Sequence, residues 1–214
     1  MMFNIAKVLA DIEADSDQNV DLLADLLKIK SISTIPDYAD ECYQAAGWLK
    51  AFLDSFGMDA IIYESEGHPI VFSDYQTTRP EAKTILFYGH YDVQPVDPVS
   101  LWDSDPFDPV LSSIDNEPCI IARGASDDKG QLLTFLIALK YIKNEVGELP
   151  FSLKIILEGE EECGSKTLPI FLEDYKDKLS ADIAYVCDTG MWDKDTPAIT
   201  TSLRGLLSEE FKII

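Results

Sequence analysis

Three short, near-continuous apolar runs constrain the fold of this 214-residue chain more than any other feature: residues 84–88 (TILFY), 153–157 (LKIIL) and 183–187 (IAYVC). They do not alternate, as strands buried on both faces of a parallel sheet do not. Between the first two lies a helical pattern over 129–146. Leu132, Phe135, Leu136, Leu139 and Ile142 share its inner side, and Gly147 follows it. Between the second and third, residues 165–179 read as a helix with Pro169 in its first turn. Strand, helix, strand, helix, strand indicates βαβ units, hence an α/β fold with a largely parallel sheet.

Upstream, the N-terminal stretch MMFNIAKVLADIEAD reads as a helix, and residues 15–33 as another with an N-cap at Ser16 or Asp17. Over 38–56, Cys42, Ala45, Ala46, Leu49, Phe52, Leu53 and Phe56 form one face, with Gly57 placed as C-cap. Short strands are expected at 60–63 and 70–72. The segment 92–128 is rich in Pro and Asp, includes LWDSDPFDPV, and reads as a long functional loop.

Composition closes off several classes of function. Thirty-nine acids against seventeen bases give a net charge of −22, which repels nucleic acid and anionic membrane alike. Most of that excess reads as solvated surface. No apolar run is long enough for a membrane span. Acidic residues stand where a signal peptide would have its apolar core, so the expected location is cytoplasmic. Cys42, Cys119, Cys163 and Cys187 form no C-x-x-C pair and read as buried free thiols.

The chain has two histidines, His68 and His90. His90 and Asp92 follow the first apolar run, EGEEECGS (Glu158, Glu160, Glu161, Glu162) follows the second, and Asp188 follows the third. RGASDDKG, with Asp127 and Asp128, precedes the helix at 129. Singly these read as a hydrogen-bonded histidine, a solvated loop and a helix-capping turn. In a parallel sheet they all fall at the carboxyl edge, where open α/β folds bind ligands. Clustered carboxylates repel one another, and a divalent cation removes that cost. One imidazole among carboxylates suits zinc, or otherwise manganese or cobalt.

These residues also carry a resemblance. FYGHYDVQP, LWDSDPFDP, RGASDDKG, EGEEECGS and VCDTGMW, in that order, resemble the co-catalytic zinc metallopeptidases. That family includes carnosinase-type dipeptidases, aminoacylase, acetylornithine deacetylase, succinyl-diaminopimelate desuccinylase and glutamate carboxypeptidase. HYDVQP and W-x-x-DPF lean toward the dipeptidase branch. The resemblance implies a three-layer α/β catalytic domain with a mostly parallel central sheet. It assigns residues 1–202 to the N-terminal part of that domain and 203–214 to the start of a lid or dimerisation domain, with the chain truncated there. By motif, His90 and Asp188 resemble ligands of one zinc, Asp127 a bridging ligand, and Glu162 a ligand of the other zinc. Glu161 resembles the general base, and Asp92 the carboxylate that orients His90. The peptide after the bridging Asp is cis in the family. Ile121-Ala122-Arg123-Gly124 stands where Tyr-Gly-Arg-Gly is usual. His68 matches no ligand and reads as a surface loop residue.

The implied function is hydrolysis of a dipeptide by a water activated between two Zn2+ ions, with small peptides or N-acyl amino acids as substrates and a homodimer as the complete protein. The second zinc needs a later histidine, so this chain has a full ligand set for only one. An N-acyl amino acid deacylase is the alternative within the enzyme class. An inactive metal-binding fragment is the alternative outside it.

Overall fold

The computed structural model describes residues 4–64 and 66–213. The expected helical start at Met1 to Phe3 and the last residue of the 203–214 segment lie outside them. Among the described residues five α-helices and seven strands follow one another, with short 3-10 turns between some of them: α1 (Ile5–Ala14), α2 (Ser16–Leu27), α3 (Ala39–Ser55), β1 (Ile61–Tyr63), β2 (Ile70–Tyr75), β3 (Thr84–His90), β4 (Val110–Ile114), β5 (Glu117–Ile121), α4 (Lys129–Val146), β6 (Ser152–Glu158), α5 (Leu168–Asp174) and β7 (Ile183–Val186).

Five strands form one sheet in the order β1-β2-β6-β3-β7. β3 runs parallel to both β6 and β7, while β1 and β2 add on antiparallel at the far margin. The expected α/β sheet is therefore present, with β3 between its two parallel partners. Helices cover both faces. On one, α2, α3 and α4 pack Leu26, Leu49, Leu53, Leu132 and Leu136 against Phe87, Leu153, Ile155 and Leu157. Phe87 of β3 stacks on Phe135 of α4, with centroids 3.8 Å apart. On the other face Phe171 of α5 packs with Ile70, Phe72 and Ile156.

Differences from the sequence reading have local causes. The second helix is capped by Asp15, with no side-chain bond, rather than by Ser16 or Asp17. The helix expected over 165–179 is cut to Leu168–Asp174, with Pro169 in its first turn. Ahead of it, Gly164 and Ser165 take positive φ, which ends helical geometry. The long loop contains a hairpin, β4-β5, turned by Asp115 and Asn116 at positive φ. All four cysteines are free, but only Cys42 is buried. Residues 197–213 carry no helix or strand, and Leu203, Leu206, Leu207 and Phe211 are exposed.

Two glycines test the packing. A Cβ on Gly130, in the first turn of α4, would lie 2.0 Å from the backbone oxygen of Ala125, whereas one on Gly47 in α3 meets nothing within 4 Å. Gly130→Ala should destabilise the protein by roughly 1–3 kcal/mol, because the clash exceeds the helix-propensity gain. Gly47→Ala should stabilise it by about 0.5–1 kcal/mol. Thermal melts of both variants check this; a shift of the same sign would contradict the close approach at Gly130.

Candidate metal centre

His90 is the last residue of the central strand β3, and its side chain is fully buried. Its Nδ1 lies 3.1 Å from the Asp92 carbonyl and 3.3 Å from Asp92 Oδ1, which suits an Nδ1–H donor. Nε2 then faces the other way, 3.1 Å from Asp127 Oδ1 and 3.6 Å from Asp188 Oδ2. It is buried and makes no hydrogen bond. A lone pair opposite two carboxylate oxygens repels them unless a cation or proton lies between. Donor atoms of His90, Asp127 and Asp188 all lie within 4.8 Å of one another. Two oxygens and one imidazole nitrogen so gathered fit a divalent cation such as zinc. Without one, burial lowers the imidazole, but the Asp92 hydrogen bond and the charges of Asp92, Asp128 and Asp188 outweigh it and raise His90 to about 10.

Asp127 comes from the turn before α4. The Asp127–Asp128 peptide is cis, as the resemblance implies. Asp128 is buried and accepts from the backbone N–H of His90 at 3.1 Å. Burial raises its carboxyl to about 7, against the pull of that bond and of His90. Lys129, also fully buried, donates to the carbonyls of Leu26 (3.1 Å) and Ile29 (2.7 Å). This bond pair ties the turn to the end of α2.

Asp92 does more than face His90. Its Oδ2 accepts from the Ser33 hydroxyl at 2.5 Å and from Glu162 N at 3.0 Å, and its Oδ1 from Glu161 N at 3.2 Å. One buried carboxylate thus holds the imidazole on one side and the Glu161-Glu162 backbone on the other. Glu160 anchors the same loop by accepting from His68 N at 3.3 Å and Thr167 N at 2.7 Å. Burial, then the charges of Glu162, Asp188 and Asp92, holds the Glu161 carboxyl above the usual range, against His90. Burial raises Glu162 too, while Gln94 and His90 oppose it.

Of the residues expected from sequence, His90, Asp127 and Asp188 come together directly. Glu161 and Glu162 join through the backbone bonds to Asp92. The Glu162 carboxylate is not part of the three-residue group; Gln94 donates to its Oε2 at 2.7 Å and to its backbone carbonyl at 3.2 Å. Sequence reasoning missed Ser33, Gln94 and Gln131. Ser33 lies 59 residues before Asp92 and carries no sequence signal. Gln94 was visible within HYDVQP as part of a motif without a role. His68 is not a free surface residue: it is half-buried, with Nε2 3.0 Å from the Ser33 carbonyl. A cavity of about 540 Å³ is walled by Tyr38 and Val96 together with Trp102 and Phe107 of the LWDSDPFDP region, and none of the proposed ligands lines it.

Residues 86–203 match the model of peptidase family M20/M25/M40. A cysteinylglycine-S-conjugate dipeptidase of Corynebacterium striatum is 31% identical over 89% of this chain and 41% of its own length. The human Beta-Ala-His dipeptidase is 30% identical over 94% of this chain and 42% of its own length. The solved structure of the di-peptidase Dug1p from Saccharomyces cerevisiae superposes with a TM-score of 0.77 and 25% identity, covering 89% of this chain and 42% of that one. The chain thus spans about two fifths of the length of these relatives.

Asp92→Asn keeps the side chain's size but exchanges one acceptor oxygen for a donor facing backbone N–H groups. Zinc affinity should fall about 10–100-fold. Isothermal titration reads this directly, and wild-type affinity in the variant would remove Asp92 as the support of the centre.

Proposed function

Since the chain belongs to peptidase family M20/M25/M40, we propose that it is the metal-holding part of a hydrolase that cleaves dipeptides. The observation that carries this is the buried His90 Nε2, without a hydrogen bond and turned toward Asp127 and Asp188. In this reading His90, Asp127 and Asp188 hold one Zn2+. Asp127 and Glu162 supply part of a second site. Residues 1–202 belong to the catalytic domain and 203–214 begin a lid or dimerisation domain, with a homodimer as the assembly.

Bound zinc supplies Lewis acidity, polarising a carbonyl and making water more acidic. The chain's own groups do the rest. Glu161, with its raised proton affinity, takes a proton from the attacking water on its carboxylate and returns it to the departing amine. Asp92 fixes the rotation of the His90 ring and, through the backbone N–H groups of Glu161 and Glu162, the place of the base. Gln94 holds the Glu162 carboxylate in one orientation. An amide bond of an N-acyl amino acid would yield to the same steps, so deacylation is the second reading. The names of the relatives above favour dipeptides.

The first site has three protein ligands, the usual complement of a zinc that keeps an open position. The second has two carboxylates and no imidazole. Elemental analysis of this 214-residue chain should therefore find close to one tightly held zinc. Two zincs held with equal strength would overturn the ligand assignment. In any form of the protein that turns over, Glu161→Gln should cut kcat by roughly 10²–10⁴-fold and leave metal content unchanged. Glu162→Gln should lower metal content instead. A panel of dipeptides against N-acetyl and N-succinyl amino acids separates the two substrate readings.

A further inference from the structure

Gln131 joins the two carboxylate-bearing segments at the centre. It stands in the first turn of α4, partly exposed. Its Nε2 donates to the Ser126 carbonyl at 2.9 Å, and its Oε1 accepts from Thr189 N at 3.3 Å. Ser126 directly precedes Asp127, and Thr189 directly follows Asp188. One side-chain amide therefore ties together the backbones on which both carboxylates are carried.

The tie matters because the two carboxylates are held unequally. Asp127 sits in a turn fixed by Asp128, Lys129 and Gly130. Asp188 follows β7, an edge strand bonded to β3 alone, whose residues are all exposed. The sheet's hold weakens beyond the strand, where Cys187 N reaches the Tyr88 carbonyl only at 3.5 Å. A cation gains most from ligands already in place, since ordering them on binding costs affinity. Glutamine also suits both bonds at once: a glutamate could accept from Thr189 but could not donate to Ser126.

We propose that Gln131 is a positioning residue for the metal centre, setting the separation of the Asp127 and Asp188 carboxylates through its bonds to Ser126 and Thr189. This rests on the reading that His90, Asp127 and Asp188 hold a divalent cation. Gln131 is not itself a ligand.

The test is a Co2+ titration of the 214-residue chain followed by visible absorption, comparing wild type with Gln131→Met and Gln131→Ala. Methionine keeps the stem and the helix propensity and removes both hydrogen bonds. Both variants should bind Co2+ at least about 10-fold more weakly, as is typical when a group supporting a metal ligand is lost. Their ligand-field bands should shift as the Asp188 carboxylate changes place. The melting temperature of the metal-free protein should move by less than about 2 °C, because the residue is at the surface. Unchanged affinity and spectrum would overturn the proposal. So would an affinity loss that only tracks a fall in melting temperature, with Gln131→Glu no better than Gln131→Met. Absence of Co2+ binding by the wild type would overturn the metal centre itself, and this inference with it.

Discussion

A buried carboxylate must be satisfied on both oxygens, and the Asp92 side chain organises its surroundings to meet that requirement. Three donors reach it, from Ser33, Glu161 and Glu162, with His90 Nδ1 beside it. With His90 these groups come from three separate parts of the chain. The segment after α2, the end of β3 and the loop after β6 are brought to one point, and a shift of any of them takes a partner from the buried carboxylate. The parallel bridge between Ile32 and Val93 and the bond from Val93 N to the Ser31 carbonyl fasten the first two segments again.

The sheet decides where that point lies. β3 has a parallel neighbour on each side; His90 itself pairs with Glu158 of β6, and Phe87 earlier in the strand stacks on Phe135. The same crossing that brings α4 back across the sheet delivers Asp127 to the strand ends. β7 is an exposed edge strand, and Asp188 follows it where the pairing with β3 ends. Buried groups hold the imidazole and the turn that carries Asp127, whereas at the third carboxylate the Gln131 side chain joins Thr189 to Ser126.

Charge gives the same picture from another side. Most of the acidic excess lies on the surface, yet Asp92, Asp128, Glu158 and Glu160 are buried near one edge of the sheet. Their oxygens are occupied largely by hydroxyls and backbone N–H groups: Glu158 Oε1, for example, accepts from Tyr88 and Ser165 at 2.5 and 3.0 Å. Burial raises the proton affinity of the Asp128 and Glu158 carboxyls; His90 Nε2, Asp128 Oδ1 and Glu158 Oε2 are buried here without a hydrogen-bond partner, and the negative charge gathered at this edge favours a cation beside His90 Nε2. That is the electrostatic basis for reading the edge as a metal centre in a peptidase family member.

Local order was legible from the amino-acid sequence. The helix at 129–146 could be read from its apolar spacing and Gly147, and the cores of β3, β6 and β7 from their apolar runs, because periodicity and chain-stopping residues are properties of neighbours. The convergence of His90, Asp127 and Asp188 followed once the strands were taken as parallel, since strand ends share an edge. The β4-β5 hairpin escaped: its residues are largely exposed, so no burial imposes a pattern, although Asp115-Asn116 offered a turn signal. The shortened α5 escaped because Gly164 and Ser165 take positive φ ahead of it, a backbone conformation that helical spacing does not record. Ser33 on Asp92, Gln94 on Glu162 and Gln131 between Ser126 and Thr189 were decided by tertiary structure alone. Their partners are brought into reach by chain crossings, and a hydrogen bond depends on distance and direction in space, which spacing along the chain does not encode.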